Sequence, residues 1–381
     1  MNILYVTNTL HKGGTEEHLL VLTKGLQAYG VKSEVAFLRS MVSGGSIDLR
    51  NDFEKAGVQT HYLGGKHSCD PRIGIRLHRL LGKKKWDILH SHLPRSDAAA
   101  ALCKLFNLKQ AWISTLHHPY DIGDAYSAAP LIPVLAPMWR LADGIIAVSE
   151  PVRQWSIQSL GVLPDSVRTI VHGIDIHPNS NDTKRETVLL SEKKRLCIGS
   201  IGRYEKRKGH ETLILAMPEI LKKFPQAELR IAGHDPWRHG EVLKKMISDL
   251  KLENHVHLVG FITDKEKFFS EIDVFAFASL SEGFGIVVLE AMAAAKAVVV
   301  SNILPLKEII CPDSGIVAEP QNPKSFADAI ISLFQDPDCL YRMGTQGAKR
   351  VASEFSTSKM VQSTLQYYNK ILLKTGNKSV S

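Results

Sequence analysis

Short apolar runs rich in Val, Ile and Leu alternate with amphipathic segments along nearly the whole chain, in two successive series. The first reads as strands at 3–7, 34–38, 59–63, 87–90, 111–115, 144–148 and 167–171. The second reads as strands at 196–201, 228–232, 256–259, 273–277, 297–301 and 315–317. Strands this apolar are buried on both faces, which calls for a parallel sheet covered by crossover helices. Between the series, HPNSNDTKRETVLLSEKKR at 177–195 is polar and carries Pro, Asn and Lys, the composition of a linker. A length of 381 residues also exceeds what one core normally serves. The expectation is an α/β protein of two Rossmann-like domains, 1–176 and 196–355, joined by 177–195. The stretch 356–381 is helical in pattern with no strand behind it, and is expected to pack across both domains.

In open α/β sheets a ligand sits beyond the carboxyl ends of the strands, so the turns leaving them hold the candidate site. One such turn, SEGFGIVVLEAMA, carries Glu282 and Glu290 eight residues apart across a glycine-bearing loop. A helix beginning near Gly285 would aim its first N–H groups and positive dipole end at whatever fills the loop, a setting for phosphate. Helical side chains lean toward the N-terminus, so Glu290 in the second turn can reach the same space as Glu282 and accept from paired hydroxyls. That combination suits a sugar nucleotide. A second turn, IGRYEKRKGHETL, brackets a short loop with Arg203 and Lys208, a planar fork and a movable point charge suited to a diphosphate. A third, TNTLHKGGTEEHLL, has Gly13 and Gly14 for close backbone approach, with Thr15 expected to cap a helix starting at Glu16.

Other features narrow the field. The five cysteines are odd in number, scattered and without a CxxC pair, the pattern of reduced thiols in a cytoplasmic protein. The longest apolar stretch is interrupted by Glu290 and Lys296, so no membrane span is expected. A net charge of +8 is compatible with a phosphorylated substrate, but no Arg cluster with interleaved aromatics points to nucleic acid. The pairs His90/His92 and His117/His118 lack a third ligand at zinc spacing, and Asp121 and Asp124 do not form a DxD motif, so no metal is expected. His90 and His92 read as structural or acceptor-side. In PRIGIRLHRLLGKKKW, Ile73, Leu77, Leu80 and Leu81 form one stripe and Arg72, Arg76, Arg79 and Lys83 the other face. A core-facing helix with basic residues near its C-terminus accounts for this, and peripheral contact with an anionic membrane at its inner face is the second reading.

The pieces KGGTEEHLL, TLHH, HGID, GRYEKRKG and EGFGIVVLE, in that order, resemble the retaining glycosyltransferases of GT-B architecture, specifically glycosyltransferase family 4. The resemblance spans essentially the whole chain, and EGFGIVVLE is its most specific part. It implies two Rossmann-like domains facing an interdomain cleft. It also implies transfer of a hexosyl unit from a UDP- or GDP-sugar to a glycan or lipid-linked acceptor, with retention and without metal or other cofactor. On that basis Arg203 and Lys208 would hold the donor diphosphate, Glu282 the transferred sugar and Glu290 the ribose hydroxyls. Gly283 and the amides of Phe284, Gly285 and Ile286 would line the donor site. Gly13 and Gly14 would lie near the donor phosphate and acceptor, and His117 would hydrogen-bond a sugar hydroxyl. His172 departs from the asparagine that many relatives carry before Gly-Ile-Asp. A GT-B-shaped sugar-nucleotide epimerase and a non-catalytic sugar-nucleotide-binding protein are the alternatives to be tested.

Overall fold

The computed structural model describes residues 1–39, 48–65, 70, 72–106, 109–120, 132–175 and 195–376. The chain divides into two compact units, Met1–Gly173 with Thr357–Ser381, and Ile174–Ser356. Of the expected linker at 177–195 only Arg195 lies among the described residues, and Asp121 and Asp124 lie outside them.

Unit 1 alternates strand and helix: β1 Asn2–Thr7, α1 Gly14–Gln27, β2 Lys32–Phe37, α2 Arg50–Lys55, β3 Gln59–Tyr62, α3 Arg72–Leu81 and β4 Ile88–His92. It continues through α4 Pro94–Leu105, β5 Ala111–Leu116, α5 Ile132–Trp139, β6 Gly144–Ala147, α6 Glu150–Leu160 and β7 Val167–Thr169. The seven strands are parallel in the order β3-β2-β1-β4-β5-β6-β7, and each of the seven runs read from the sequence is a strand. The order reverses between β1 and β4, the switch point at which such sheets open beyond their carboxyl ends. The stripe of α3 is spent on the core: Ile73, Leu77, Leu80 and Leu81 are buried with Trp86, while Arg72, Arg76, Arg79 and Lys83 face out.

Unit 2 repeats the plan with β8 Leu196–Ile201, α7 His210–Lys223, β9 Ala227–Ala232, α8 Gly240–Asp249, β10 Val256–Gly260, α9 Lys265–Ser270 and β11 Val274–Phe277. Then come α10 Ile286–Ala293, β12 Ala297–Ser301, α11 Leu306–Ile309, β13 Gly315–Ala318, α12 Pro323–Gln335 and α13 Pro337–Glu354. Its six parallel strands lie in the order β10-β9-β8-β11-β12-β13, with the switch between β8 and β11. Buried Val274, Ala276, Val299 and Leu229 alternate with Phe275, Val298 and Val300 on the opposite face, so both faces are apolar as the sequence demanded.

The last helix, α14 Thr357–Lys374, belongs to unit 1. It packs on α1, and Val361 fills the space above Gly25, where a Cβ would stand 2.4 Å from Val361 Cγ2. Its tyrosines tie it to the sheet: Tyr367 accepts from the Ile145 amide and donates to the Ser166 carbonyl, and the Tyr368 hydroxyl lies 3.2 Å from that of Tyr5. No helix among the described residues is long and apolar enough to cross a membrane.

Candidate active site

In unit 2 the loops leaving β8 and β11 are stapled together beyond the switch point. The Leu280 amide donates to the Arg207 carbonyl at 2.8 Å, Arg207 donates to the Ser281 carbonyl at 2.9 Å, and Ser279 Oγ lies 3.2 Å from the Arg207 carbonyl oxygen. The contact is tight because Gly209 turns with φ +65 directly over Ala278, where a Cβ would meet the Ala278 carbonyl oxygen at 2.0 Å. The loop after β9 joins them: a Cβ on Gly233 would stand 1.9 Å from the Gly202 oxygen. Glycine at these two positions is therefore a condition for bringing three strand ends this close.

Stapling the loops sets Lys208 against Glu282, with Nζ donating to Oε1 at 2.5 Å and both side chains about nine-tenths buried (13% and 10% exposed). Ser279 Oγ donates to the same carboxylate oxygen at 2.7 Å. Burial alone would raise the Glu282 carboxyl, but Lys208 and Arg207 outweigh it and hold it below the usual glutamate value, so it is an anion. Burial lowers the Lys208 ammonium from the ordinary lysine value, against the pull of Glu282. A buried ion pair is no gain in itself. An ammonium has three N–H donors, so Lys208 can bind a second anion while keeping Glu282.

Arg203, five residues earlier, is more open, with 42% of its side chain exposed. It pairs with Glu205 at 3.1 Å and lies over the Trp237 ring at 5.1 Å. Gly285 begins α10 at φ +110, a conformation reserved for glycine, and a Cβ there would also strike Leu306 at 2.6 Å. Phe284 is buried against Phe355, which anchors the loop between Glu282 and the helix, and Gly283 and Ile286 flank that anchor. Glu290 lies in the second turn of α10 as expected, and its Oε1 accepts from Lys265 Nζ at 2.7 Å. Lys265 was not singled out in the sequence. It is the first residue of α9, just past the end of β10, where inspection of every strand end would have found it.

Gly13, Gly14 and His117 belong to unit 1, at the ends of β1 and β5. The expected cap is corrected here: α1 starts at Gly14 with Gly13 as N-cap, and Thr15 lies inside the first turn. The extended Gly13 backbone lets its carbonyl accept from the Glu17 amide at 2.9 Å, closing the turn two residues earlier than a cap at Thr15 would. A Cβ on Gly13 would stand 3.0 Å from the Glu16 carboxylate, so glycine here gives room to a buried acid.

Around these ends five histidines converge: His18 from α1, His90 and His92 from β4, His117 beyond β5, and His172 near the end of the unit. His90 is fully buried and satisfied on both ring nitrogens, by the Tyr368 hydroxyl at 2.6 Å and Thr115 Oγ1 at 2.7 Å, so it is a structural link from β4 to α14. His92 Nδ1 lies 2.9 Å from His117 Nε2, and His172 Nδ1 lies 2.8 Å from His18 Nδ1. No group of His, Cys, Asp and Glu among the described residues is arranged to hold a metal ion.

Burial lowers the pKa of all five, His18 to about 4 and His90 to about 3. The unfolded chain takes up protons near pH 6.5 that the folded histidines refuse, so their contribution is complete above pH 6.5 and is lost as pH falls toward these values. His210 in unit 2, lowered to about 4 by burial, adds to the effect. Asp97, raised to about 6 by burial, opposes it with a single proton. The unfolding free energy is therefore expected to fall between pH 6.5 and pH 5, by up to about 1.4 kcal/mol per pH unit for each net excluded proton, and the urea midpoint to fall with it. A midpoint constant across that window would contradict the assignment of these histidines as neutral.

Comparison with known proteins covers most of the chain. Residues 12–177 match the family model described as Glycosyltransferase Family 4, and residues 181–350 match that described as Glycosyl transferases group 1. A phosphatidyl-myo-inositol mannosyltransferase of Mycolicibacterium smegmatis is 28% identical over 350 residues, covering 85% of this chain and 82% of that protein. The O-antigen biosynthesis glycosyltransferase WclY of Escherichia coli is 28% identical over 342 residues, covering 87% and 88%. Among solved structures, Anabaena Alr3699/HepE in complex with UDP and glucose superposes with a TM-score of 0.81 at 18% identity, over 96% of this chain and 99% of that one. A glycosyltransferase from Rickettsia africae superposes with a TM-score of 0.80 at 21% identity, over 97% and 98%. The two sheets are those of the GT-B architecture, and the two family models tile both: the chain belongs to the GT-B glycosyltransferases of the family 4 type.

Proposed function

We propose that this enzyme transfers a hexosyl unit from a UDP- or GDP-sugar to a hydroxyl of a glycan or glycolipid acceptor, with retention of anomeric configuration. The observation that carries the reading is the buried Lys208–Glu282 pair at the stapled ends of β8 and β11, a cation and an anion adjacent at the switch point of the sheet. In this reading Lys208 and Arg203 bind the diphosphate, Glu282 accepts from sugar hydroxyls, and Glu290, positioned by Lys265, accepts from the ribose. Gly283, Phe284, Gly285 and Ile286 line the donor through the loop and the first turn of α10, whose amides face developing negative charge. In unit 1, Gly13 and Gly14 give close backbone approach and His117 a hydrogen bond to a substrate hydroxyl. The named relatives act on a phosphatidylinositol and in O-antigen synthesis, which supports a glycolipid or glycan acceptor.

Breaking the bond from anomeric carbon to phosphate leaves negative charge on the departing diphosphate, and two preorganised cations stabilise it as it grows. The acceptor oxygen bonds the anomeric carbon from the face the phosphate leaves, and the departing phosphate oxygen takes the acceptor proton. No protein base and no resident cofactor is required. The test is incubation with UDP- and GDP-hexoses of α configuration and a panel of glycan and lipid-linked acceptors, with the product linkage read by proton NMR. An α-linked product formed only when acceptor is present is expected. A β-linked product contradicts retention, and conversion of the donor without acceptor points to the epimerase instead.

A further inference from the structure

We propose that His92 is a positioning residue that sets the tautomer of His117, so that His117 presents an Nδ1–H donor to a substrate hydroxyl. The inference rests on the proposed role of His117 and adds the direction of its hydrogen bond and the group that fixes it. His92 is the last residue of β4, fully buried, and His117 follows the last residue of β5, half-buried. The parallel register pairs His92 with Thr115, which brings the two rings together with 2.9 Å between His92 Nδ1 and His117 Nε2.

Burial among other imidazoles keeps both rings neutral, so a single proton occupies that hydrogen bond. Two arrangements exist. If the proton is on His117 Nε2, then His92 Nδ1 accepts, and the proton of His92 must sit on Nε2. That atom is buried and has no hydrogen-bond partner, so an N–H donor would be stranded. If the proton is on His92 Nδ1, its Nε2 carries only a bare lone pair, and His117 accepts at Nε2 and holds its own proton on Nδ1. Stranded N–H groups are rarer in folded proteins than under-used acceptors, so the second arrangement prevails. His117 is then a donor at Nδ1, the nitrogen its partner does not occupy. The ring is held in place from other sides by His172, parallel to it at 5.6 Å, and His18, edge-on at 5.7 Å.

The decisive measurement is the ring nitrogen spectrum of the ligand-free protein by long-range proton–nitrogen correlation, with His117 identified by its loss in His117→Gln. A protonated Nδ1 and bare Nε2 on His117 are expected, and a protonated Nε2 overturns the proposal. This readout needs no turnover, so it stands apart from whether the enzyme transfers a hexose. Two variants then test the consequence. His92→Phe keeps the bulk and removes the donor; His117 is expected to gain the Nε2–H form, and kcat/KM to fall about tenfold, the worth of one directed hydrogen bond. His92→Asn, whose amide can donate from near the Nδ1 position, is expected to restore both the Nδ1–H signal and most of the rate. Equal loss in both variants with an unchanged His117 tautomer would mean that His92 only fills space, and would overturn the proposal.

Discussion

Lys208→Ala is expected to lower transferase turnover about 10²- to 10³-fold, the effect of removing one preorganised group that, in the proposed mechanism, faces charge developing in the transition state. The same substitution also destabilises unit 2, because Glu282 keeps its charge and its burial while losing the ammonium 2.5 Å away. Breaking one side of such a pair typically costs about 3–5 kcal/mol. The two effects separate in a double variant, Lys208→Met with Glu282→Leu, in which no charge is left stranded. Urea unfolding is expected to show most of the lost stability restored, while turnover stays at the level of the single variant or below. Recovery of turnover with stability would show that the pair serves the fold alone.

Arg203→Ala is expected to lower kcat about 10²-fold with little change in the urea midpoint. The contrast with Lys208 follows from exposure. Arg203 is 42% exposed and its pair with Glu205 is a partly solvated one, worth about 0–1 kcal/mol to folding. Its guanidinium is held over Trp237, which orients a planar fork, and a lysine there cannot reproduce two parallel N–H bonds to a phosphate. Arg203→Lys is therefore expected to recover only part of the rate. Steady-state rates near those of the parent in Arg203→Ala would remove this residue from the site.

What could be read in advance was what short-range pattern determines. Central strands such as β11 and β12 were legible because a strand buried on both faces writes itself as an apolar run, while the partly buried edge strands β3, β7 and β10 were legible from their place in the strand–helix alternation, and the α10 start because Gly285 precedes an apolar run beyond the end of β11. The α1 start was misplaced because a threonine is a good cap in isolation, whereas the closing bond here comes from the extended carbonyl of Gly13. Pairings set by strand order were out of reach. Lys265 meets Glu290 only because α9 and α10 flank β11, and His18 meets His172 across 154 residues. The histidines show the same limit: His90 and His92 read in the sequence as structural or acceptor-side without a choice between the two, while the fold ties off His90 by Tyr368 from the last helix and leaves His92 with one nitrogen unpartnered.

The proposed function requires a nucleoside diphosphate to bind at the stapled strand ends of unit 2. Hydrogen exchange of the whole protein, without ligand and with saturating UDP or GDP, tests this most directly. One of the two is expected to slow exchange of the amides in 202–209 and 283–288, with Lys208→Ala abolishing that protection at the same nucleotide concentration. Protection confined to other segments with either nucleotide, or protection that survives unchanged in Lys208→Ala, would contradict it.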